Sequence, residues 1–141
     1  ISFDEMKKIV GDDIGEKLKD VSLKVYKKGR EIAEKKGIII ADTKMEFGIL
    51  EGSKGQSVKG SECQEGKLII IDELLTPDSS RFWSIKDYQH GKKQDSFDKQ
   101  IVRDYLLTLD WNQTYPGPAL PDDIMSKTAA RYKEILEILT K

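Results

Sequence analysis

The chain has 141 residues, 38% hydrophobic and 35% charged, with 24 Lys and Arg against 25 Asp and Glu. That length accommodates one domain with a real core, and a formal net charge of -1 gives no polarised surface for nucleic acid or an anionic membrane. No apolar run approaches a transmembrane helix, and the single cysteine, Cys63, cannot close an intramolecular disulfide, so a cytoplasmic protein is expected. Ile1 and Ser2 open neither a signal peptide nor a transit peptide, and with no initiator Met a fragment or a processed chain is expected.

In chain order, Ser2 and Glu5 stand at capping-box spacing ahead of Phe3, Met6 and Ile9, which predicts a short helix ending at Gly11. A longer helix follows, with Asp12 or Asp13 as N-cap, Ile14, Leu18, Val21, Val25 and Ile32 as its apolar stripe, and Gly37 as its stop. Its lysines alternate with Glu16, Asp20, Glu31 and Glu34, so that face is solvated and does not read as a nucleic-acid surface. Gly29, inside the helix, marks a candidate point of close packing.

The stretch IIIADTKMEFG, Ile38 to Gly48, passes from a β-branched run into strict alternation. Read as one strand, it places Asp42, Lys44 and Glu46 on one face and Ala41, Thr43, Met45 and Phe47 on the other. Two acids and a base in a row are costly on a sheet unless something binds them. A second strand, Leu68 to Leu75, delivers Asp72 and Glu73. If the two strands form a hairpin around the Gly- and Ser-rich insertion Glu51 to Gly66, Glu46 falls opposite Ile71 or Asp72. Facing carboxylates with no His or Cys beside them suit a hard divalent cation, Mg2+ before Ca2+, shared with phosphate oxygens; the alternative is a pair of half-exposed surface acids. The insertion reads as a mobile surface loop, because its glycines do not follow a P-loop pattern.

In TPDSSRFW, Pro77 breaks the strand, Asp78, Ser79 and Ser80 favour a tight turn, and Arg81 is presented from it as a guanidinium fork for phosphate or carboxylate. The competing reading pairs Arg81 with Asp78 and leaves Phe82 and Trp83 in the core. A third helix is expected from Asp95 through SFDKQIVRDYLLTL, with Asp95 or Ser96 as cap. Lys99 and Arg103 then lie one turn apart as a second candidate anion site, unless Asp98 and Asp104 satisfy them. His90 sits alone in a polar linker and reads as a solvated residue. A last helix begins near Pro121 or Asp122 and buries Ile124, Thr128, Tyr132, Ile135 or Leu136, and Leu139.

From the residues alone, the chain is an α+β domain whose antiparallel strands form part of a sheet flanked by helices, with a carboxylate pair and two anion-gripping elements. The run IIADTKMEFG, the block IDELLTPDSSRFW, the segment SFDKQIVRDYL and the ending P-x-L-P followed by T-x-x-x-Y-x-x-x-x-x-x-L-T together resemble the SAICAR synthetase (phosphoribosylaminoimidazole-succinocarboxamide synthase) family over nearly the whole chain.

The resemblance implies an ATP-dependent ligase of purine synthesis that joins carboxyaminoimidazole ribonucleotide to L-aspartate, with Mg2+ and ATP. By similarity Glu46 and Asp72 hold magnesium, and Lys44 approaches the phosphates or the substrate carboxylate. Asp42 orients the same cluster or contacts nucleotide. Asp78, Ser80 and Arg81 bind the ribonucleotide, while Lys99 and Arg103 serve the substrate side. The family's ATP-covering glycine-rich strands have no counterpart here, so residues 1–141 are expected to be the C-terminal domain of a two-domain, ATP-grasp-like fold, inactive without its N-terminal half. Neither a nucleic-acid nor a membrane partner is expected, homo-oligomerisation is left open, and a non-catalytic Mg-nucleotide or phosphate-binding module is the alternative function.

Overall fold

The computed structural model describes residues 1–50 and 66–141. Its elements are helix α1 (Phe3–Val10), helix α2 (Asp12–Lys35), strands β1 (Ile38–Thr43), β2 (Glu46–Leu50), β3 (Lys67–Ile71) and β4 (Ser80–Ser84), and helices α3 (Gln100–Leu107) and α4 (Asp122–Thr140). The class is α+β as expected. Among the described residues, however, the strands form two separate antiparallel pairs, β1 with β4 and β2 with β3, where one sheet was expected. The insertion and Cys63 lie outside the described residues, apart from Gly66 at the insertion's end. None of the described helices is long and apolar enough to cross a membrane.

The two N-terminal helices follow local signals. The Ser2 hydroxyl accepts from the Glu5 N–H at 3.2 Å while the Glu5 carboxylate accepts from the Ser2 N–H at 2.7 Å, which completes the capping box of α1. Gly11, at φ 88, ends α1 and is the cap residue of α2; Asp12 and Asp13 sit instead in the first turn, where the helix dipole favours acids. Helix α2 lies along β1. Its stripe departs from the expected one at the C-terminal end: Ile32 is 52% exposed, whereas Ala33 is buried. Steps of four from Val25 lead through Gly29 to Ala33, small residues that carry little hydropathy signal but let the helix approach the strand. The expected close packing at Gly29 is present, for a Cβ there would lie 2.3 Å from Leu75 Cδ1.

The first strand corrects the simple alternation. Ile38, Ile40 and Phe82 are buried, and Ile40 pairs with Phe82 across the β1–β4 ladder. The register then skips Ala41, so Asp42 pairs with Arg81 and Thr43 with Ser80. Since Arg81 and Phe82 are neighbours on one strand, they face opposite ways, and the bulge turns Asp42 away from the face that holds Ile38 and Ile40. An unbulged strand would have driven that carboxylate into the core, at a cost of several kcal/mol. The Tyr26 hydroxyl donates to the Ile40 carbonyl at 2.7 Å beside the bulge, which satisfies a backbone acceptor where the ladder is irregular. The stretch read as one strand is therefore two: β1 ends at Thr43, and β2 begins at Glu46 with a different partner.

The expected β2–β3 register holds, with Glu46 opposite Ile71. The second strand stops at Ile71, four residues short of the expected Leu75, because Asp72 takes φ 63 and leaves the extended region. Ser96 to Asp98 are not helical: Ser96 bridges Trp83, the Phe97 N–H donates to the Phe82 carbonyl, and α3 begins only at Gln100. The cap residue is Lys99, not the expected Asp95 or Ser96, and the buried Asp98 side chain just before it accepts the Gln100 N–H at 2.9 Å. In α4, Ile135 and not Leu136 is buried.

The core is thus Ala33, Ile38, Ile40, Phe82, Phe97 and Ile135, edged by Tyr26, Leu75, Ile138 and Leu139. Replacing Ile38 by Ala is expected to destabilise the chain by about 2–5 kcal/mol through lost burial and a residual cavity, and Ile32→Ala by less than about 1 kcal/mol. Urea unfolding of both variants checks this; equal losses would contradict the assigned helix face.

Candidate functional site

A polar depression of about 230 Å³ opens where the two ladders meet the loops after β3, lined by Lys44, Glu46, Asp72, Glu73, Asp78, Ser79, Lys99 and Arg103. Six of these are residues singled out from the sequence. They come from four places: the break between β1 and β2, the start of β2, the stretch from β3 to β4, and the start of α3. The Lys44 N–H donates to the Ser79 carbonyl at 2.9 Å, so the β1–β4 pairing continues to the edge of the depression and fixes Lys44 against the turn.

Lys44 Nζ lies 2.5 Å from Glu46 Oε1. Glu46 chiefly, with the further negative charge of Asp72 and Glu73, holds the Lys44 ammonium above the ordinary lysine range. On the opposite wall Lys99 Nζ lies 2.8 Å from Asp78 Oδ1, and the Lys99 ammonium pulls the Asp78 carboxyl below the usual carboxylate range. Arg103 enters no ion pair among the described residues, although its charge lowers both Asp42 and Asp78. It is therefore the cation of the depression best able to take up an incoming anion.

The turn between β3 and β4 is closed by its own side chains. The Thr76 N–H donates to Ser79 Oγ at 3.2 Å, the Ser79 N–H to Thr76 Oγ1 at 3.3 Å, and the Thr76 hydroxyl donates to the Glu73 carboxylate. Glu73 and Ser79 were not singled out from the sequence. In a regular strand neighbouring residues face opposite ways; the left-handed conformation of Asp72 breaks that alternation, and both acids line the depression. The signal for Glu73 was the acid pair standing two residues ahead of a turn-forming Thr-Pro.

Three predicted residues do not line the depression. Arg81 is not presented from the turn but stands in β4, where its Nε donates to Asp42 Oδ1 at 2.9 Å and Oδ2 at 3.0 Å and its NH2 closes a second contact with Oδ2. Asp78 is thereby free for Lys99, and the Asp78–Arg81 pairing weighed from the sequence does not occur. Both partners of the Asp42–Arg81 pair are half exposed. The third, Ser80, is buried, its hydroxyl 2.8 Å from that of Thr43. It serves the inside of the ladder and presents no group to a ligand.

The donor set around Glu46, Asp72 and Glu73 is all oxygen, which fits a hard divalent cation. Among the described residues no cluster of three or more His, Cys, Asp or Glu side chains is arranged to hold a metal. A cation bound by two of these carboxylates would complete its shell from water or phosphate, and Lys44, Lys99 and Arg103 are placed to share the phosphate. Larger cavities, of about 500 Å³ between α1, α2 and the β2–β3 ladder and about 570 Å³ beside Trp111, present mainly apolar surface and no comparable convergence of charge.

A family model described as SAICAR synthetase matches residues 1–118. A curated phosphoribosylaminoimidazole-succinocarboxamide synthase from Thermodesulfovibrio yellowstonii is 58% identical over 99% of this chain and 43% of its own length. Among solved structures, the SAICAR-synthase from Saccharomyces cerevisiae complexed with SAICAR superimposes with a TM-score of 0.79 at 41% identity, over 99% of this chain and 42% of that one. A type-2 SAICAR synthetase in complex with ADP gives 0.61 at 27% identity, over 99% and 44%. The chain therefore spans less than half the length of the relatives it matches.

The pH response of the site follows from its ion pairs. Asp42, held down chiefly by Arg81, and Asp78, held down chiefly by Lys99, have folded pKa values below those of the unfolded chain. On acidification the unfolded state takes up protons first, so these pairs contribute fully above about pH 4 and their contribution is lost as pH falls through the depressed folded values. An Asp42→Asn, Asp78→Asn double variant is expected to lose part of its acid-induced drop in urea midpoint below about pH 4. An acid limb as steep as the parent's would contradict the assignment.

Proposed function

The chain belongs to the SAICAR synthetase family, and from that premise we propose that it supplies the C-terminal domain of an ATP-dependent, amide-forming ligase of purine synthesis. The reaction joins the carboxylate of carboxyaminoimidazole ribonucleotide to the amino group of L-aspartate and releases ADP and phosphate. The rest of the protein supplies the ATP lid of a two-domain, ATP-grasp-like arrangement. The observation that carries this reading is the meeting of Glu46, Asp72 and Glu73 with Lys44, Lys99 and Arg103 around one depression. Four carboxylates, Asp78 among them, and three cations in so small a space suit a metal-bound polyphosphate and a carboxylate-bearing substrate better than either alone.

A carboxylate is a poor electrophile, and amide formation requires that one of its oxygens leave. Transfer of the terminal phosphoryl group of ATP to that oxygen, with ADP departing, makes an acyl phosphate; the aspartate amine then attacks the carbonyl carbon, phosphate leaves, and the amine gives up a proton. Mg2+ held by Glu46 and Asp72 would spread the negative charge of the transferred group. Lys44 and Arg103 neutralise phosphate or substrate carboxylate, and Lys99, oriented by Asp78, supports the same side. Arg81 binds the ribonucleotide phosphate, and Asp42 acts through it by holding the guanidinium flat against the ladder. Ser80, buried under Thr43, fixes the start of β4 and so the height of Arg81.

The test is formation of SAICAR from carboxyaminoimidazole ribonucleotide, aspartate, ATP and Mg2+ by a protein that carries these residues within the full length of its relatives. Asp72→Asn and Glu46→Gln are expected to lower kcat/KM by about 100-fold each and to raise the Mg2+ requirement. The isolated 141-residue chain is expected to form no product. Parental rates in both variants, or turnover by the isolated chain, would overturn the reading.

A further inference from the structure

The acids of the depression sit on a short stretch that is pinned from beneath. Asp72 and Leu75 take φ values of 63 and 54, a left-handed conformation that aspartate enters with some ease but that is uncommon for a branched side chain such as leucine. Asp72 and Glu73 face the depression, while Leu75 points inward and packs against the edge of the core. It reaches α2 at Gly29, where the helix has no side chain. A Cβ built on Gly29 would lie 2.3 Å from Leu75 Cδ1 and 3.5 Å from Ile40 Cδ1. The next residue, Thr76, donates its hydroxyl to Glu73, which couples the seat of Leu75 to the carboxylate two residues before it.

We propose that Gly29 and Leu75 are positioning residues for the site: the bare backbone of α2 at Gly29 is the seat that receives Leu75, and this seat sets where Asp72 and Glu73 stand in the depression. Helix α2 meets the irregular stretch after β3 at this contact, and that stretch is held between two left-handed residues and the edge of the core. A methyl at Gly29 pushes Leu75 outward, and the movement passes to the acids. The consequence for catalysis rests on the functional reading above; the geometry does not, and it is testable without any ligand.

The experiment compares the parent chain with Gly29→Ala, Leu75→Ala and the double variant. The first readout is the residual dipolar couplings of the Asp72 and Glu73 amides in the ligand-free protein, with those of Asp42 and Arg81 on the β1–β4 ladder as reference. The second is Mn2+ affinity, from relaxation enhancement. We expect Gly29→Ala to move the Asp72 and Glu73 couplings and leave the reference couplings in place, and to weaken Mn2+ binding by about tenfold. Leu75→Ala removes the same contact from the other side, so adding Gly29→Ala to it changes nothing further.

A purely structural role predicts the reverse. Alanine is a better helix former than glycine, so the melting temperature rises while Asp72 and Glu73 stay where they are. Parental couplings in Gly29→Ala, or equal effects of that substitution with and without Leu75, overturn the proposal. Displaced couplings in a chain whose parent does not bind Mn2+ uphold the positioning role and overturn the functional reading instead.

Discussion

Ile38 and Ile40 must face the core, and the period of a strand would carry Asp42 to the same side. The extra residue at Ala41 breaks that parity, and most of the site depends on it. Before the bulge, β1 is a core strand packed on α2; after it, the same strand offers a carboxylate to Arg81 and leads directly into Lys44 and Glu46. The two states differ greatly in energy. A carboxylate buried without a partner costs several kcal/mol, whereas a half-exposed Asp–Arg pair contributes about 0–1 kcal/mol. The gain from the bulge is therefore chiefly the avoided burial. The Asp42–Arg81 pair adds direction more than stability, because a two-pronged contact fixes the guanidinium plane.

The break after β1 has a second effect. Lys44 lies in neither ladder, yet its N–H is held by the Ser79 carbonyl, and Glu46 is held by the pairing of β2 with β3. One short segment thus receives its position from both ladders, and the depression forms where they meet. Asp72 and Glu73 arrive from the stretch after β3 and the cations Lys99 and Arg103 from the start of α3, which is held by the Asp98 side chain on the Gln100 N–H and by Phe97 under the β4 carbonyl. Few of these groups are buried. Their arrangement is enforced by backbone that is hydrogen-bonded or packed on the side away from solvent, as expected of a site built on rigid elements with charged side chains projecting from them.

Much of this was legible in the sequence. The capping box at Ser2, the stop at Gly37, the β2–β3 register and the start of α4 each rest on interactions among residues close in sequence or on a simple period, and each is found. Glu46 and Asp72 were placed together by register alone. What period could not reveal was non-local. The bulge at Ala41 exists because of what lies on the far face of β1, and the left-handed turn at Asp72 because of where Leu75 must go; neither leaves a mark in a single strand's alternation. The same holds for α3. An Asp-Ser pair ahead of an amphipathic run reads as a cap, but Ser96 and Phe97 are taken up by β4 and the helix starts late. Ala33 was overlooked for a different reason: a stripe made of small residues allows close approach while contributing little hydropathy.

On the functional reading proposed above, the depression between the ladders grips a metal-bound phosphate. That claim is tested most directly by mapping the backbone and side-chain NMR shifts of the chain as inorganic pyrophosphate is added in the presence of Mg2+. Saturable changes centred on Lys44, Glu46, Asp72, Ser79, Lys99 and Arg103 are expected, reached at lower concentration than when Mg2+ or pyrophosphate is added alone. Changes centred on the apolar cavity beside Trp111, or weak and unsaturated changes spread over the surface lysines, would contradict it.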